Sequence, residues 1–260
     1  VQQPRTAAGR AGLQALREMP TTALVALDYD GTLAPIVPDP ARALPAVGAV
    51  DALQELAGRV GRLALVTGRP AQVVVDLAGL GQVPGLVVLG QYGVDRWTAG
   101  HTTAADPAPG LAAARAELPG LLAAVGGVLE DKGHSLVVHT RGAAPGTADR
   151  LDGPLRALAL GTGLEVHLGR QVLELRPPGF DKHGALLSCA EPVPSAVLYA
   201  GDDVGDARAF DAVDELRAAG VPGLTVFSDS DEGPAGLRER ADLVVPGPAG
   251  VVALLGALLA

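Results

Sequence analysis

The sequence predicts an α/β fold in two bodies: a core built on a parallel sheet, interrupted by a smaller α+β segment with an antiparallel sheet. Three observations carry this expectation. Apolar runs of strand length alternate with segments of helical spacing. The alternation breaks near residue 97, gives way to a helix-strand-strand pattern that occurs twice, and resumes after Pro177-Pro178-Gly179. Charge divides in the same way. Residues 101–180 carry 7 Lys/Arg and 8 Asp/Glu, out of 20 and 29 in the whole chain, so the segment is near −1 and the remainder near −8.

The elements follow in order. Residues 6–19 have the spacing of a short helix. Ala23-Leu24-Val25-Ala26-Leu27 is a continuous apolar run ending at Asp28, as expected of a parallel strand buried on both faces. A Pro-rich loop, 34–40, leads to helical spacing over 46–58, with Val47, Val50, Leu53 and Leu56 on one face. A strand at 63–66 ends at Thr67-Gly68-Arg69-Pro70, and a helix over about 71–78 precedes a strand at 86–89. In the inserted segment, helices are expected over 110–125 and 147–161. The paired strands are 128–130 with 135–139, and 164–167 with 172–176. The core pattern then returns with a helix at 182–189 and a strand at 196–200 that ends at Gly201-Asp202-Asp203. A helix at 206–219, strands at 224–227 and 243–245 and a closing helix at 248–259 complete it.

Composition limits the functional classes. The chain has 260 residues, 48% hydrophobic and 19% charged, enough to bury a sizeable core. With only 3% aromatic residues, that core must be built from Ala, Val and Leu. A net charge of −9 argues against nucleic-acid binding, which needs clustered Lys and Arg. The single cysteine, Cys189, excludes an intramolecular disulfide and reads as a small buried hydrophobe. No segment reads as a membrane span, and the Val-Gln-Gln-Pro-Arg start has no apolar signal core; a cytoplasmic monomer is the expectation.

The chemistry is concentrated where predicted parallel strands end, the edge at which open α/β sheets bind ligands. Asp28 and Asp30 project to one side of an extended chain, and two such carboxylates repel unless a cation or a shared proton lies between them. Thr67 ends the next strand, Lys182 opens a helix, and Asp202 with Asp203 ends another strand. A carboxylate can attack phosphorus and split one difficult hydrolysis into two easier steps, provided the repulsion between anions is cancelled. Mg²⁺ does this through hard oxygen ligands: the carboxylates of Asp28 and Asp202 and the backbone carbonyl of Asp30. The Thr67 hydroxyl and the Lys182 ammonium are placed to hold phosphoryl oxygens. Gly68 and Arg69 join them as phosphate-binding candidates, Arg69 either bracing the Thr67 loop or touching phosphate directly. The Asp30 side chain can protonate the leaving oxygen and later deprotonate water. Asp203 and Asp206 are expected behind the metal, with Asp206 positioning water or Lys182. No Gly-x-x-x-x-Gly-Lys-Ser/Thr loop is present to support a nucleotide switch.

This set, with Asp28-x-Asp30-Gly31-Thr32 as its most specific part, resembles the haloacid dehalogenase superfamily of phosphohydrolases. The resemblance implies a Rossmann-like parallel-sheet core (residues 1–100 and 180–260), an inserted α+β cap domain (101–179), Asp28 as nucleophile, Asp30 as general acid/base and Mg²⁺ as cofactor. A sharper likeness lies in the insertion. Glu130-Asp131-Lys132-Gly133-His134-Ser135-Leu136-Val137-Val138-His139-Thr140-Arg141 resembles the Glu-x-Lys-x-x-Ser-Leu-x-x-His-x-Arg stretch of trehalose-6-phosphate phosphatases. Leu173 to Lys182 is similar to that family's return from cap to core. Gly201-Asp202-Asp203-Val204-x-Asp206 is similar to its acidic motif, and Gly90-Gln91-Tyr92-Gly93 to its turn before the cap. Gly205, Ala207 and His183 depart from the family pattern, and none of them is a group assigned to chemistry.

The resemblance implies hydrolysis of trehalose 6-phosphate to trehalose and phosphate through an aspartyl-phosphate intermediate, the last step of trehalose synthesis. Glu130, Lys132, Glu174 and Arg176 supply acceptors and donors suited to sugar hydroxyls. His139 and Arg141 form a third pair at period 2, for which bracing the sheet is an equal reading. His101, His134 and His167 are expected to be solvated. The alternative is another sugar phosphate, of sucrose or a hexose; a silent metabolite-binding regulator is the rival of a different class.

Overall fold

The computed structural model describes residues 3–169, 171–230 and 233–258, and the chain divides into two compact units. The first comprises Val1–Thr103 and Asp181–Ala260, and the second Ala104–Phe180.

The first unit holds an eight-stranded sheet. Its strands are β1 (Leu24–Leu27), β2 (Arg62–Val66), β3 (Leu86–Gly90), β4 (Asp95–Thr98), β5 (His101–Ala104), β10 (Val197–Gly201), β11 (Gly223–Asp229) and β12 (Leu243–Pro246). Their order is β12-β11-β10-β1-β2-β3-β4-β5. The six from β12 to β3 are parallel, and β4 turns antiparallel to β3. Every residue of β1 is buried because both faces are covered. Val25 and Leu27 meet the cluster formed with α1 (Ala7–Glu18), α2 (Ala49–Ala57), α3 (Ala71–Ala78) and α9 (Gly247–Leu258). Leu24 and Ala26 meet the cluster formed with α6 (Lys182–Cys189), α7 (Asp206–Ala218) and α8 (Ala235–Arg240). Cys189 is a buried member of that second cluster. Alternating side chains thus feed two cores, which explains the uninterrupted apolar run.

Two local expectations are corrected. Helix α2 begins only at Ala49, after Gly48 in the left-handed region (φ 80°), so Val47 lies outside it and is fully exposed instead of sharing a face with Leu53 and Leu56. The β4–β5 hairpin and α8 went unseen in the sequence, because four polar-rich residues per strand and a six-residue helix carry little periodicity.

The second unit packs α4 (Pro109–Val125) and α5 (Thr147–Thr162) on one face of an antiparallel sheet. Its strands are β6 (Val128–Asp131), β7 (Leu136–His139), β8 (Glu165–Gly169) and β9 (Val172–Arg176), in the order β6-β7-β9-β8. Leu129, Leu136, Val138, Val166, Leu173 and Leu175 face the helices. Glu130, His139, His167, Glu174 and Arg176 take the alternate positions, on the face without helices. Among the described residues, no helix is long and apolar enough to cross a membrane.

Candidate active site

Strand order reverses between β1 and β10: from β1 the chain proceeds outward to β2 and β3, and from β10 outward to β11 and β12. At such a switch point the following loops diverge and leave a crevice at the carboxyl ends of the strands. Asp28 follows β1 and Asp202 follows β10, and the two strands are locked together there by the Asp28 N–H donating to the Ala200 carbonyl at 2.9 Å. Gly31 is required in this loop. It has φ 76°, and a Cβ there would collide with the Asp202 carboxylate. The Ser228 hydroxyl pins the same loop by donating to the Gly31 carbonyl at 2.7 Å.

Lys182 is the hub. The Asp181 side chain accepts from the Gly184 N–H and caps α6, which puts Lys182 on the first turn. Its Nζ lies 2.9 Å from Asp28 Oδ1 and 2.7 Å from Asp206 Oδ1, with all three side chains buried. Burial alone would depress the ammonium, but Asp206 and Asp28 more than offset it and hold Lys182 charged. Asp206 also accepts from the Tyr199 hydroxyl at 2.6 Å and from the backbone N–H groups of Asp202 and Asp203 at 2.9 and 3.0 Å. Burial would raise the Asp206 carboxyl, yet Lys182 and these donors bring it below its usual range. Both oxygens of Asp206 are therefore saturated by donors.

Asp28 and Asp202 are in the opposite condition. Burial, opposed by Lys182, pushes Asp28 well above the carboxylate range. Burial, then Asp206 and Asp203, raises Asp202 to about 8. Asp202 Oδ1 is buried without a hydrogen-bond partner. One carboxylate oxygen from each of Asp28, Asp202 and Asp206 can be chosen so that all lie within 4.8 Å of one another. Crowded, dehydrated carboxylates with an unpartnered oxygen fit a hard divalent cation, and Mg²⁺ suits that donor set. Asp206 is already filled by donors, which leaves Asp28 and Asp202 as the carboxylates of this group that could hold such an ion. Asp203 is exposed, and its Oδ1 accepts from the Asp206 N–H at 3.2 Å.

Thr67 follows β2, buried, with its N–H on the Leu89 carbonyl and its Oγ1 accepting from the Arg69 N–H at 3.2 Å. The turn after β3 clamps this loop. Gln91 N–H donates to the Arg69 carbonyl and Tyr92 N–H to the Thr67 carbonyl, at 2.9 and 3.0 Å. Gln91 and Tyr92 both adopt positive φ, 46° and 61°, a strained conformation for residues with a Cβ. A Cβ on Gly68 would sit 2.7 Å from the Tyr92 hydroxyl, so a larger residue there would push that ring aside. Arg69 turns to Asp30: Nε and Nη2 each lie 2.6 Å from one of its carboxylate oxygens, while Nη1 donates to the Pro40 carbonyl.

The second unit gathers its own candidates on the helix-free face. Glu130 Oε2 is 2.7 Å from His139 Nε2. Glu174, buried, accepts from the Ser135 hydroxyl at 2.6 Å and lies 4.0 Å from Arg176. Lys132 follows β6, and its backbone N–H donates to the Ser135 carbonyl at 3.0 Å. Arg141 does not share a strand with His139, because β7 ends at His139. Its guanidinium instead meets Gln171 Oε1 at 3.0 Å. His167 is half-buried and bonded to Arg176, correcting the expectation that it is solvated. Sequence reasoning also missed Tyr199, one of only three tyrosines; a phenol inside an otherwise apolar strand was the available signal.

Comparison with known proteins gives a consistent result. The trehalose-phosphatase family model matches residues 26–239. The trehalose-phosphate phosphatase of Mycobacterium marinum is 37% identical over 202 residues, covering 73% of this chain and 51% of that protein. The chain thus spans about half the length of the trehalose-phosphate phosphatases it matches. In fold it is similar to the trehalose-6-phosphate phosphatase of Aspergillus fumigatus, with a TM-score of 0.74, 21% identity and 99% of both chains covered. The C-terminal domain of the Candida albicans trehalose-6-phosphate phosphatase gives 0.77 at 20% identity, covering 99% of this chain and 98% of that one.

Proposed function

The chain belongs to the trehalose-phosphatase family, and from that premise we propose that it hydrolyses trehalose 6-phosphate to trehalose and phosphate, the reaction that would end trehalose synthesis. The observation that carries the reading is Lys182 bridging Asp28 and Asp206 beside the unpartnered Asp202 oxygen.

In this reading Asp28 attacks phosphorus and the sugar oxygen leaves, giving an aspartyl phosphate that water then hydrolyses. Asp28 and Asp202, with the Asp30 backbone carbonyl, would hold Mg²⁺, which when bound neutralises the charge between carboxylate and phosphoryl group. Lys182, fixed by Asp206, and the Thr67 hydroxyl accompany the phosphoryl oxygens through the transfer. Asp30 gives its proton to the leaving oxygen and recovers one from water. Two residues that accept hydrogen bonds from sugar hydroxyls, Glu130 and Glu174, and two that donate, Lys132 and Arg176, recognise the disaccharide from the inserted unit.

Phosphate release from a panel of phosphorylated sugars with Mg²⁺ tests the substrate. Trehalose 6-phosphate is expected to give the highest kcat/KM, and preference for sucrose or hexose phosphate would replace it. Asp28→Asn is expected to abolish turnover with the fold retained by circular dichroism. Full activity in that variant, with deamidation excluded by mass spectrometry, would overturn the nucleophile assignment.

A further inference from the structure

His167 occupies β8 opposite Glu174 in the strand register, and neither the sugar-binding set nor the catalytic set includes it. Its Nδ1 lies 2.9 Å from Arg176 Nη2, and its Nε2 3.3 Å from Glu165 Oε2. A guanidinium only donates, so Nδ1 must present its lone pair and Nε2 must carry the proton. The tautomer is thereby set by the neighbours, and the bonds run one way: His167 donates to Glu165 and accepts from Arg176. Arg176 Nη1 in turn lies 4.0 Å from Glu174 Oε2, whose partner oxygen accepts from Ser135. One row of side chains across β8 and β9 thus ends on the two residues given to the sugar.

We propose that His167 is a positioning residue for sugar recognition: its neutral ring, protonated at Nε2, holds the Arg176 guanidinium in the orientation that serves the substrate. The inference rests on the reading that Arg176 and Glu174 contact the sugar. Protonation of Nδ1 would set a donor against a donor and two cations side by side, and would release Arg176. The charged groups facing the ring are Glu165 on its own strand and Arg176 and Glu174 on β9. Burial and then Arg176 lower the imidazole below its ordinary value, against the opposing pull of the two glutamates. The neutral ring is accordingly the form present at neutral pH, and acid removes it.

The test compares wild type, His167→Leu and His167→Gln on trehalose 6-phosphate and on a small aryl phosphate that lacks the sugar, between about pH 5 and pH 8. His167→Leu is expected to raise KM for the sugar phosphate about tenfold, the scale of one lost orienting hydrogen bond. Its kcat and its KM for the aryl phosphate should stay near wild type. His167→Gln keeps an acceptor and a donor without titrating, so it should restore KM and remove the rise in KM that wild type shows on acidification. An unchanged KM in the folded His167→Leu protein, an equal rise on both substrates, or a wild-type acid profile in His167→Gln would overturn the proposal. Should wild type turn over the aryl phosphate but not trehalose 6-phosphate, the substrate reading fails. The same comparison on the sugar phosphate it does hydrolyse then decides on His167.

Discussion

Arg69 grips Asp30 through two separate N–H groups, each 2.6 Å from a different oxygen of the carboxylate. Both oxygens are accepting, so the pair must open before Asp30 can hand a proton to a leaving group. A phosphoryl anion entering beside Thr67 is the natural competitor for that guanidinium. Arg69→Met is expected to lower kcat/KM by about 10–100-fold, the range for a hydrogen bond to a charged group. Arg69→Lys should recover little, because a single ammonium cannot reproduce the fork. Steady-state kinetics on both variants check this, and wild-type kcat/KM in Arg69→Lys would reduce Arg69 to a generic positive charge.

The crowding of Asp28 and Asp202 has a thermodynamic consequence. Asp202 moves from 3.8 to about 8 on folding, and Asp28 moves in the same direction. Between those values these two groups bind more protons in the folded chain than in the unfolded one, so their contribution to the stability of the metal-free protein falls as pH rises from about 5 to 8. Asp206 and Lys182 do not confound this window. Asp206 is depressed, and its contribution is lost only in acid below the ordinary carboxylate range; Lys182 is raised, and its contribution holds until alkaline pH. Mg²⁺ should therefore raise the thermal midpoint more at pH 8 than at pH 5. Differential scanning calorimetry with and without chelator measures both effects, and a metal-induced rise that is equal at the two pH values would count against Asp28 and Asp202 as the ligands.

Glu130 and His139 pair across β6 and β7, their side chains 2.7 Å apart. Glu130→Ala is expected to lower kcat/KM for trehalose 6-phosphate by about tenfold, with little effect on an aryl phosphate that has no sugar to recognise. His139→Ala alone should cost less, and the double variant less than the sum of the two, with a coupling of about 0.5–3 kcal/mol. A double-mutant cycle on kcat/KM reads this directly. Losses of equal size on both phosphates would make the pair a brace of the sheet.

The legible part of the site is the part written at the ends of apolar runs. Asp28, Thr67 and Asp202 each follow a strand whose two buried faces leave an unmistakable hydrophobic signal, and Lys182 and Asp206 each open a helix. The meeting of Asp28, Lys182, Asp202 and Asp206 follows from the parallel strand order together with the helices that Lys182 and Asp206 open. What stayed hidden depends on partners that no periodic pattern joins. Nothing near Tyr199 announces that its hydroxyl saturates Asp206, and nothing near Arg69 announces Asp30, 39 residues away. His167 is a similar case: period 2 gives its face, but only the β8–β9 register gives it Arg176. The α2 boundary failed for a local reason, since Val47 fits the helical spacing while Gly48 at positive φ starts the helix after it.

Asp242 carries the last prediction, one of stability. It is buried at the start of β12, and its carboxylate accepts from the Thr225 N–H and hydroxyl at 2.8 and 2.9 Å. It also bonds to Thr6 at the cap of α1 and to Arg217 on α7. Burial would raise this carboxyl, but the Thr225 backbone, Thr6 and Arg217 together bring it below the ordinary value. One side chain therefore ties a helix cap, a second helix and two strands together; its removal takes the acceptor from the Thr225 N–H and the buried anion from Arg217, which keeps only Asp214 and the Gly223 carbonyl. Asp242→Ala is expected to destabilise the protein by about 3–5 kcal/mol, as for breaking a buried pair. Because the carboxyl is depressed in the folded state, its contribution is present above the ordinary Asp range and disappears as pH falls through the folded value. Urea unfolding should accordingly show the full gap between wild type and Asp242→Ala at neutral pH and a narrowing gap in acid. A gap that widens on acidification would exclude the charged network as its source.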